Sequence, residues 1–334
     1  MEIMEYTDRY IISDINNLQE TLDKYGVAVI PNILDEKQVL NAQSQMWDML
    51  ETLTSKFNHP IERKSPDTWK SFYDLFPLHS MQLQHFVGHS QVAWDIRQNE
   101  NVVNVFSKLW NTKPEDLLCS FTGASIHMPP ELTKRGWFRN TWYHTDQSYL
   151  RNDLECYQAF VNMFDVNDHD ATLTILEGSH KYHSEFAKFK EFDKVDKKSK
   201  EYKELKKDWY KLTEKEQEFY DQKNCKMTCV KCPKGSLVIW DSRTIHAGKE
   251  PDKTRKTPNI RFIVYVCMTP RKLCTSANLK KKQKAFNELR MTSHWPHKPK
   301  LFGKKPQTYG KEFKQPEKLQ PPVLTDLGKR LAGF

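Results

Sequence analysis

Hydrophobic positions follow two different periods along this chain, and the change between them divides it. Behind the short apolar run Val27-Ala-Val-Ile30, closed by Pro31, the residues Asp35-Glu-Lys-Gln38 carry a helix-start signature. Val39, Ala42, Met46, Leu50 and Leu53 then recur at spacings of three and four, which predicts a helix with one apolar stripe to bury. The same spacing returns through Ile96, Val103, Phe106 and Trp110 and predicts a helical stretch over Val92 to Trp110. From residue 117 the pattern shortens to runs rich in β-branched and aromatic residues: Leu117 to His127, Thr141 to Asp146, Cys156 to Phe164, Thr172 to Leu176, Ser236 to Trp240 and Arg261 to Met268. Short strands without alternating helices predict a sandwich or barrel rather than a doubly wound parallel sheet.

Two segments stand apart from the strand series. Phe186 to Asn224 is dense in Lys, Glu and Asp with scattered aromatics, which suits amphipathic helices inserted into the β region and standing outside its barrel. As an insertion it has a chance of bordering a substrate entrance with its lysines, against the plainer reading of a solvated excursion. Beyond Pro270 the chain is rich in Lys and Pro, through Lys280-Lys-Lys to Pro316, Pro321 and Pro322, and is expected to drape over the surface. We read all 334 residues as one mainly β domain. It has a helical flank over 1–115, a core over 117–268 carrying the insertion 186–224, and an extension over 270–334.

Composition narrows the class. With 38% hydrophobic, 12% aromatic and 28% charged residues the chain is globular rather than disordered. No window reaches the roughly 18 consecutive apolar residues of a membrane span, and the acidic start lacks a signal-peptide core. The ending Leu-Ala-Gly-Phe is not a peroxisomal tripeptide, so the default expectation is a cytoplasmic protein. Seven cysteines in a large chain suggest reduced thiols; Cys225, Cys229 and Cys232 cluster without a fourth ligand at zinc-finger spacing. A net charge of +9, from 52 basic and 43 acidic residues, favours an anionic partner, whether a small acid, a CoA-like phosphate or nucleic acid.

His144 and Asp146 lie two apart in a predicted strand and so project to one face, where an imidazole and a carboxylate can meet one ion. His246, in a turn after Gly235-Ser-Leu-Val-Ile-Trp240, offers the third ligand. Two His and one carboxylate form the facial triad of non-haem Fe(II) oxygenases, which leaves coordination positions open. A second His-x-acid triplet, His183-Ser-Glu185, lies at the edge of the charged insertion and has no such context. Arg261, Ile263, Tyr265 and Cys267 share a strand face, and a guanidinium there suits bidentate capture of a carboxylate. Arg255 competes for that role from Lys253-Thr-Arg-Lys-Thr-Pro258, which reads as a solvent-exposed polar turn.

Taken together, these residues resemble the phytanoyl-CoA dioxygenase family of Fe(II)- and 2-oxoglutarate-dependent oxygenases. The resemblance rests on Tyr25-Gly-Val-Ala-Val-Ile-Pro, His144-Thr-Asp146-Gln147, Leu176-Glu-Gly-Ser-His180, Gly235-Ser-Leu-Val-Ile-Trp240, His246-Ala-Gly248 and Arg261, in order over about residues 20 to 270. It implies a double-stranded β-helix, a cupin-like jelly-roll, with flanking helices. It implies ferrous iron on His144, Asp146 and His246, and 2-oxoglutarate held at its distal carboxylate by Arg261. Dioxygen is the further co-substrate. Two positions depart from the family pattern: Asp168-His-Asp-Ala171 replaces an Asn-Gly turn, and Glu177 stands where proline is common. His169 and His180 lie beside these departures; His180 reads as a structural hydrogen-bonding residue. Asp146 is retained, unlike in related halogenases, so hydroxylation is favoured over halogenation.

The expected function is hydroxylation of a small-molecule or lipid-like substrate, possible anionic groups included. Two other classes stay open: the same chemistry on nucleic acid or protein, motivated by the charge, and a non-enzymatic cupin-like binding module. Trp142, Tyr143, Tyr149 and Trp240 are candidates for the pocket wall or plain core. The run Phe72, Tyr73, Phe76, His79, His85 and His89 reads either as a loop at the mouth or as a packed connection.

Overall fold

The computed structural model describes residues 6–135, 142–312 and 314–334. Thirteen short strands are formed among them: β1 (Thr7–Tyr10), β2 (Val27–Ile30), β3 (Met81–Gln82), β4 (Leu117–Cys119), β5 (Ala124–His127), β6 (His144–Thr145), β7 (Tyr157–Asn162), β8 (Thr172–Leu176), β9 (Tyr210–Lys211), β10 (Met227–Lys231), β11 (Leu237–Asp241), β12 (His246–Lys249) and β13 (Arg261–Pro270). One sheet runs β1-β10-β8-β12-β6-β9 and the other β2-β11-β7-β13-β5-β3, with β4 pairing the end of β13. Along the chain β7, β11 and β13 fall in the second sheet while β8, β10 and β12 fall in the first. That alternation winds the strands into a double-stranded β-helix, the jelly-roll.

Every residue of β7 and β11 is buried, because both faces of these strands are covered. Leu237 and Ile239 join the core built with the helix Glu36–Thr54, whereas Val238 and Trp240 turn inward beside Phe160 and Ile175. The alternation of side chains along a strand thus serves two cores at once. The helix Glu36–Thr54 begins where Asp35 and Gln38 close a capping box, and Val39, Ala42, Met46, Leu50 and Leu53 all lie in the core. The stretch from Val92 to Trp110 is two helices, Gln91–Arg97 and Glu100–Leu109, since the Asn99 side chain accepts from the backbone of Asn101 and Val102 and starts a new helix.

Four expectations change. The run from Leu117 to His127 is broken into β4 and β5, with Gly123 between them so close to Gln82 that a Cβ there would lie 1.9 Å from its carbonyl oxygen. The strand read from Thr141 to Asp146 shrinks to His144–Thr145; Thr141 lies outside the described residues, and Asp146 falls in a bend just past the strand. The charged insertion does not stand wholly outside the sheets: β9 pairs β6 as an edge strand. The C-terminal extension drapes over the surface only in part: 303–325 is largely exposed and its described residues form no helix or strand, but the rest of the extension packs inward. Its helix Ser276–Asn287 buries Lys282 and Ala285, and Trp295 packs on Cys156 and Cys267. Thr292 exchanges hydrogen bonds with the Phe121 backbone. Among the described residues no helix is long and apolar enough to cross a membrane.

Candidate metal centre and its cavity

His144 opens β6 and His246 opens β12, and the two are paired directly across the sheet. Their rings are 4.4 Å apart between centroids. Asp146 reaches the same point through the bend after β6, its backbone N–H donating to Ser242 O at 3.0 Å. One ligand atom from each of His144, Asp146 and His246 lies within 4.8 Å of the others. The side chains are only 12%, 17% and 6% exposed. Two imidazoles and a carboxylate therefore converge on one point and could hold one metal ion, although the bend rather than the strand face delivers the carboxylate.

Each imidazole is fixed by its other nitrogen. His144 Nδ1 donates to Trp142 O at 3.1 Å and His246 Nδ1 to Thr244 O at 2.9 Å, so both Nε2 atoms carry lone pairs toward the shared point. Gln158 Nε2 donates to Asp146 Oδ2 at 2.7 Å, and His294 Nε2 to the Asp146 carbonyl at 3.3 Å. Burial, with the neighbouring His246, depresses the His144 pKa to about 4. Burial would raise Asp146, but the surrounding His144, His294 and His246 outweigh it and hold the carboxyl well below the usual range. At neutral pH the set thus offers a neutral His144 and an ionised Asp146, the forms a metal requires.

The three side chains line a cavity of about 590 Å³, within the range of small-molecule sites. Arg261 lines it from the first residue of β13, in the opposite sheet. It is 6% exposed, its guanidinium lies 4.9 Å from the Phe160 ring, and its Nε has no hydrogen-bond partner. Burial lowers its pKa. No carboxylate forms an ion pair with it among the described residues. Arg255, expected in solvent, is instead buried at its side chain: Nε and Nη2 each donate to Glu131 at 2.7 Å, and Nη1 to Asp170 at 3.1 Å. Two acids occupy it, and the turn residue cannot offer its guanidinium to a ligand without breaking them.

Other candidates divide. Trp142, Trp240 and His79 line the cavity, whereas Tyr143 and Tyr149 belong to the core under the insertion. Phe72 is core, and His89 packs on Phe121 and donates from Nε2 to Arg290 O at 3.0 Å. His183 stacks on Tyr149 while Glu185 pairs with Lys223, so that triplet does not converge. His180 is buried against the turn of Gly26, and His169, half exposed, faces Asp8 and Asp252. Among the described residues no metal-ligand cluster includes Cys225, Cys229 or Cys232. In the insertion, Lys190, Lys194 and Lys207 pair with Glu216, Glu191 and Glu204, so these lysines do not present an uncompensated basic patch.

Lys207, Asp208 and Trp209 from the insertion, with Ser293, His294, Lys300 and Phe302 from the extension, complete the wall. Lys300 and Arg151 both pair with Asp208, tying the two segments together. Sequence reasoning missed Gln158, His294 and the extension's part in the cavity. Gln158 sits inward on a predicted strand beside apolar neighbours, a polar residue at a core position, and that was the one signal available. Nothing in the spacing of His294 pointed to the triad.

A jelly-roll that brings a His-Asp-His set and a buried arginine without an ion-paired carboxylate into one cavity suits a non-haem oxygenase. The chain belongs to the phytanoyl-CoA dioxygenase (PhyH) family, whose model matches residues 22–257; its members depend on iron and 2-oxoglutarate. The chain is similar to Ava biosynthesis cluster protein O of Aspergillus versicolor, 26% identical over 285 residues, 84% of this chain and 86% of that protein. Among solved structures it is similar to the hypothetical protein JW0805 of Escherichia coli, with a TM-score of 0.60 at 15% identity over 97% of this chain and 86% of that one. It is also similar to the product of GlcNAc Inducible Gene 2 of Candida albicans, with a TM-score of 0.52 at 12% identity over 85% and 70%. At such identities the structural likeness speaks to the fold alone.

Proposed function

We propose that the protein hydroxylates a small molecule, with ferrous iron on His144, Asp146 and His246 and with 2-oxoglutarate bound through its distal carboxylate at Arg261. The observation that carries this reading is Arg261 itself. A buried guanidinium with an unpartnered Nε and no ion-paired carboxylate, its acidic neighbour Glu250 lying instead 3.6 Å from His127, is costly unless a ligand supplies the anion, and it shares a cavity with the candidate metal ligands. Bound there, iron and 2-oxoglutarate would supply the activation of dioxygen, one atom of which would go to a substrate C–H bond and the other to the succinate formed from 2-oxoglutarate. The chain's own part is to hold both imidazoles by their Nδ1 hydrogen bonds, to fix Asp146 through Gln158, and to enclose the substrate. Asp146 fills the coordination position that a halide would need, which favours hydroxylation. The enclosing wall from the insertion and the extension favours a small molecule over nucleic acid or protein. A relative named for a biosynthesis cluster points the same way.

Anaerobic titration with Fe(II) and 2-oxoglutarate tests the reading through the visible charge-transfer band of the chelate. His246→Ala should lose the iron. Arg261→Met should weaken 2-oxoglutarate by on the order of 2–5 kcal/mol, since a charge-assisted contact in a desolvated pocket is lost. Iron retained in His246→Ala, or an unchanged 2-oxoglutarate dissociation constant in Arg261→Met, overturns it.

A further inference from the structure

The cavity has a recognition surface that neither the metal set nor Arg261 uses. Trp142 lies flat against His144, with centroids 3.8 Å apart and 8° between planes. Trp209 stands against Trp142 at 86°, with centroids 5.6 Å apart. Both line the cavity, so two indoles from separate segments make a right-angled corner beside a candidate metal ligand. Leu78, Met81 and Phe302 add apolar surface to the same cavity. A rigid ring system fits such a corner better than a flexible chain, because it presents a face and an edge and has few rotors to immobilise.

Polar groups interrupt the lining: Lys207, whose Nζ lies 5.2 Å from the centroid of the Trp209 ring, with Asp208, Ser293, Lys300 and His294. His294 lines the cavity, and its Nε2 faces the Asp146 carbonyl, an acceptor only, so Nε2 carries the proton. Nδ1 is then left as an acceptor. Its natural complement is a hydroxyl or N–H donor on the bound molecule.

We propose that the substrate is a ring-bearing, largely apolar molecule seated against Trp142 and Trp209, with a hydroxyl or N–H group that donates to Nδ1 of His294. Calling that molecule the substrate rests on the oxygenase reading above. His294 and Trp209 are accordingly specificity-determining residues.

Three probes separate ring from donor: indole, 1-methylindole, which lacks the donor, and 1-octanol, which has a donor on a flexible chain. Binding is read by calorimetry in the metal-free protein and in the anaerobic protein with Fe(II) and 2-oxoglutarate. Wild type should bind indole about tenfold more tightly than 1-methylindole, the worth of one hydrogen bond, and more tightly than 1-octanol. His294→Leu should abolish the preference for indole over 1-methylindole in the metal-free protein, while His294→Gln, which keeps an acceptor, restores part of it. Trp209→Ala, at a 40% exposed position, should weaken both indoles and leave 1-octanol unchanged. Equal binding of the two indoles by wild type, a preference that survives His294→Leu, 1-octanol binding as tightly as indole, or no binding of any probe overturns the proposal. Should His294→Leu not fold, the wild-type comparison and Trp209→Ala decide. Indole binding to metal-free protein that never forms the band would sink the metal reading and leave this recognition surface standing.

Discussion

Gln158 offers a sharp measure of how far the centre depends on its surroundings. It lies on β7 with 7% exposure, directly opposite Trp240 and Cys267, and its Nε2 donates at 2.7 Å to Asp146 Oδ2. Gln158→Leu keeps much of the volume and removes the donor, leaving a buried carboxylate oxygen with one fewer partner. A hydrogen bond to a charged group is worth about 1.5–3 kcal/mol, and partners that orient metal ligands typically carry ten- to a hundredfold in affinity. The two ranges agree, so the iron dissociation constant should rise by about 10- to 100-fold. The 2-oxoglutarate constant at saturating iron should barely move, because Arg261 reaches the cavity from β13, a different strand. Anaerobic Fe(II) titration of folded variant and wild type, followed by the chelate band at excess 2-oxoglutarate, gives both constants. An iron constant within twofold of wild type would refute the argument that Gln158 orients Asp146.

Gly26 has φ +79°, and an added Cβ would lie 2.4 Å from Thr244 Oγ1, whose residue also holds His246 by its carbonyl. Gly26→Ala should therefore cost about 1–3 kcal/mol in denaturant unfolding and weaken iron binding as well; a variant as stable as wild type contradicts it. Lys282 is fully buried, and burial lowers its pKa to about 7 from 10.5. The unfolded chain takes up this proton at higher pH than the native one, so stability should fall as pH drops from about 10.5 to 7 and then level off with respect to this group. In Lys282→Met that component should vanish, and a wild-type-to-variant stability difference independent of pH between 7 and 10 would count against it. Burial also depresses His183 and His297 to about 4 and His89 to about 3. These groups stay neutral in the native state while the unfolded chain protonates, so stability should decline from about pH 6.5 toward 4, by about 1.4 kcal/mol per pH unit for each histidine. His183→Phe should flatten that slope by one proton in denaturant titrations at several pH values, and an unchanged slope would show His183 uninvolved.

What the sequence determined by itself lies where chemistry is local. The capping box at Asp35 and Gln38, the apolar stripe from Val39 to Leu53 and the strand series depend on neighbours a few residues away. The inward face of Arg261, Ile263, Tyr265 and Cys267 was legible for the same reason, and the motif named His144 and Asp146 although strand alternation is not what brings them together. The tertiary structure decided whatever depends on a partner far along the chain. Arg255 looked exposed in a polar turn until Glu131, 124 residues away, enclosed it. Asp146 reaches the ligand set through a bend pinned by Ser242, which no period records. Trp209 and His294 come from segments that read as solvated, yet they close the cavity because β9 joins the sheet edge and Trp295 anchors the extension over Cys156 and Cys267. Periodicity reports which face of an element is buried, but only packing chooses what that face meets.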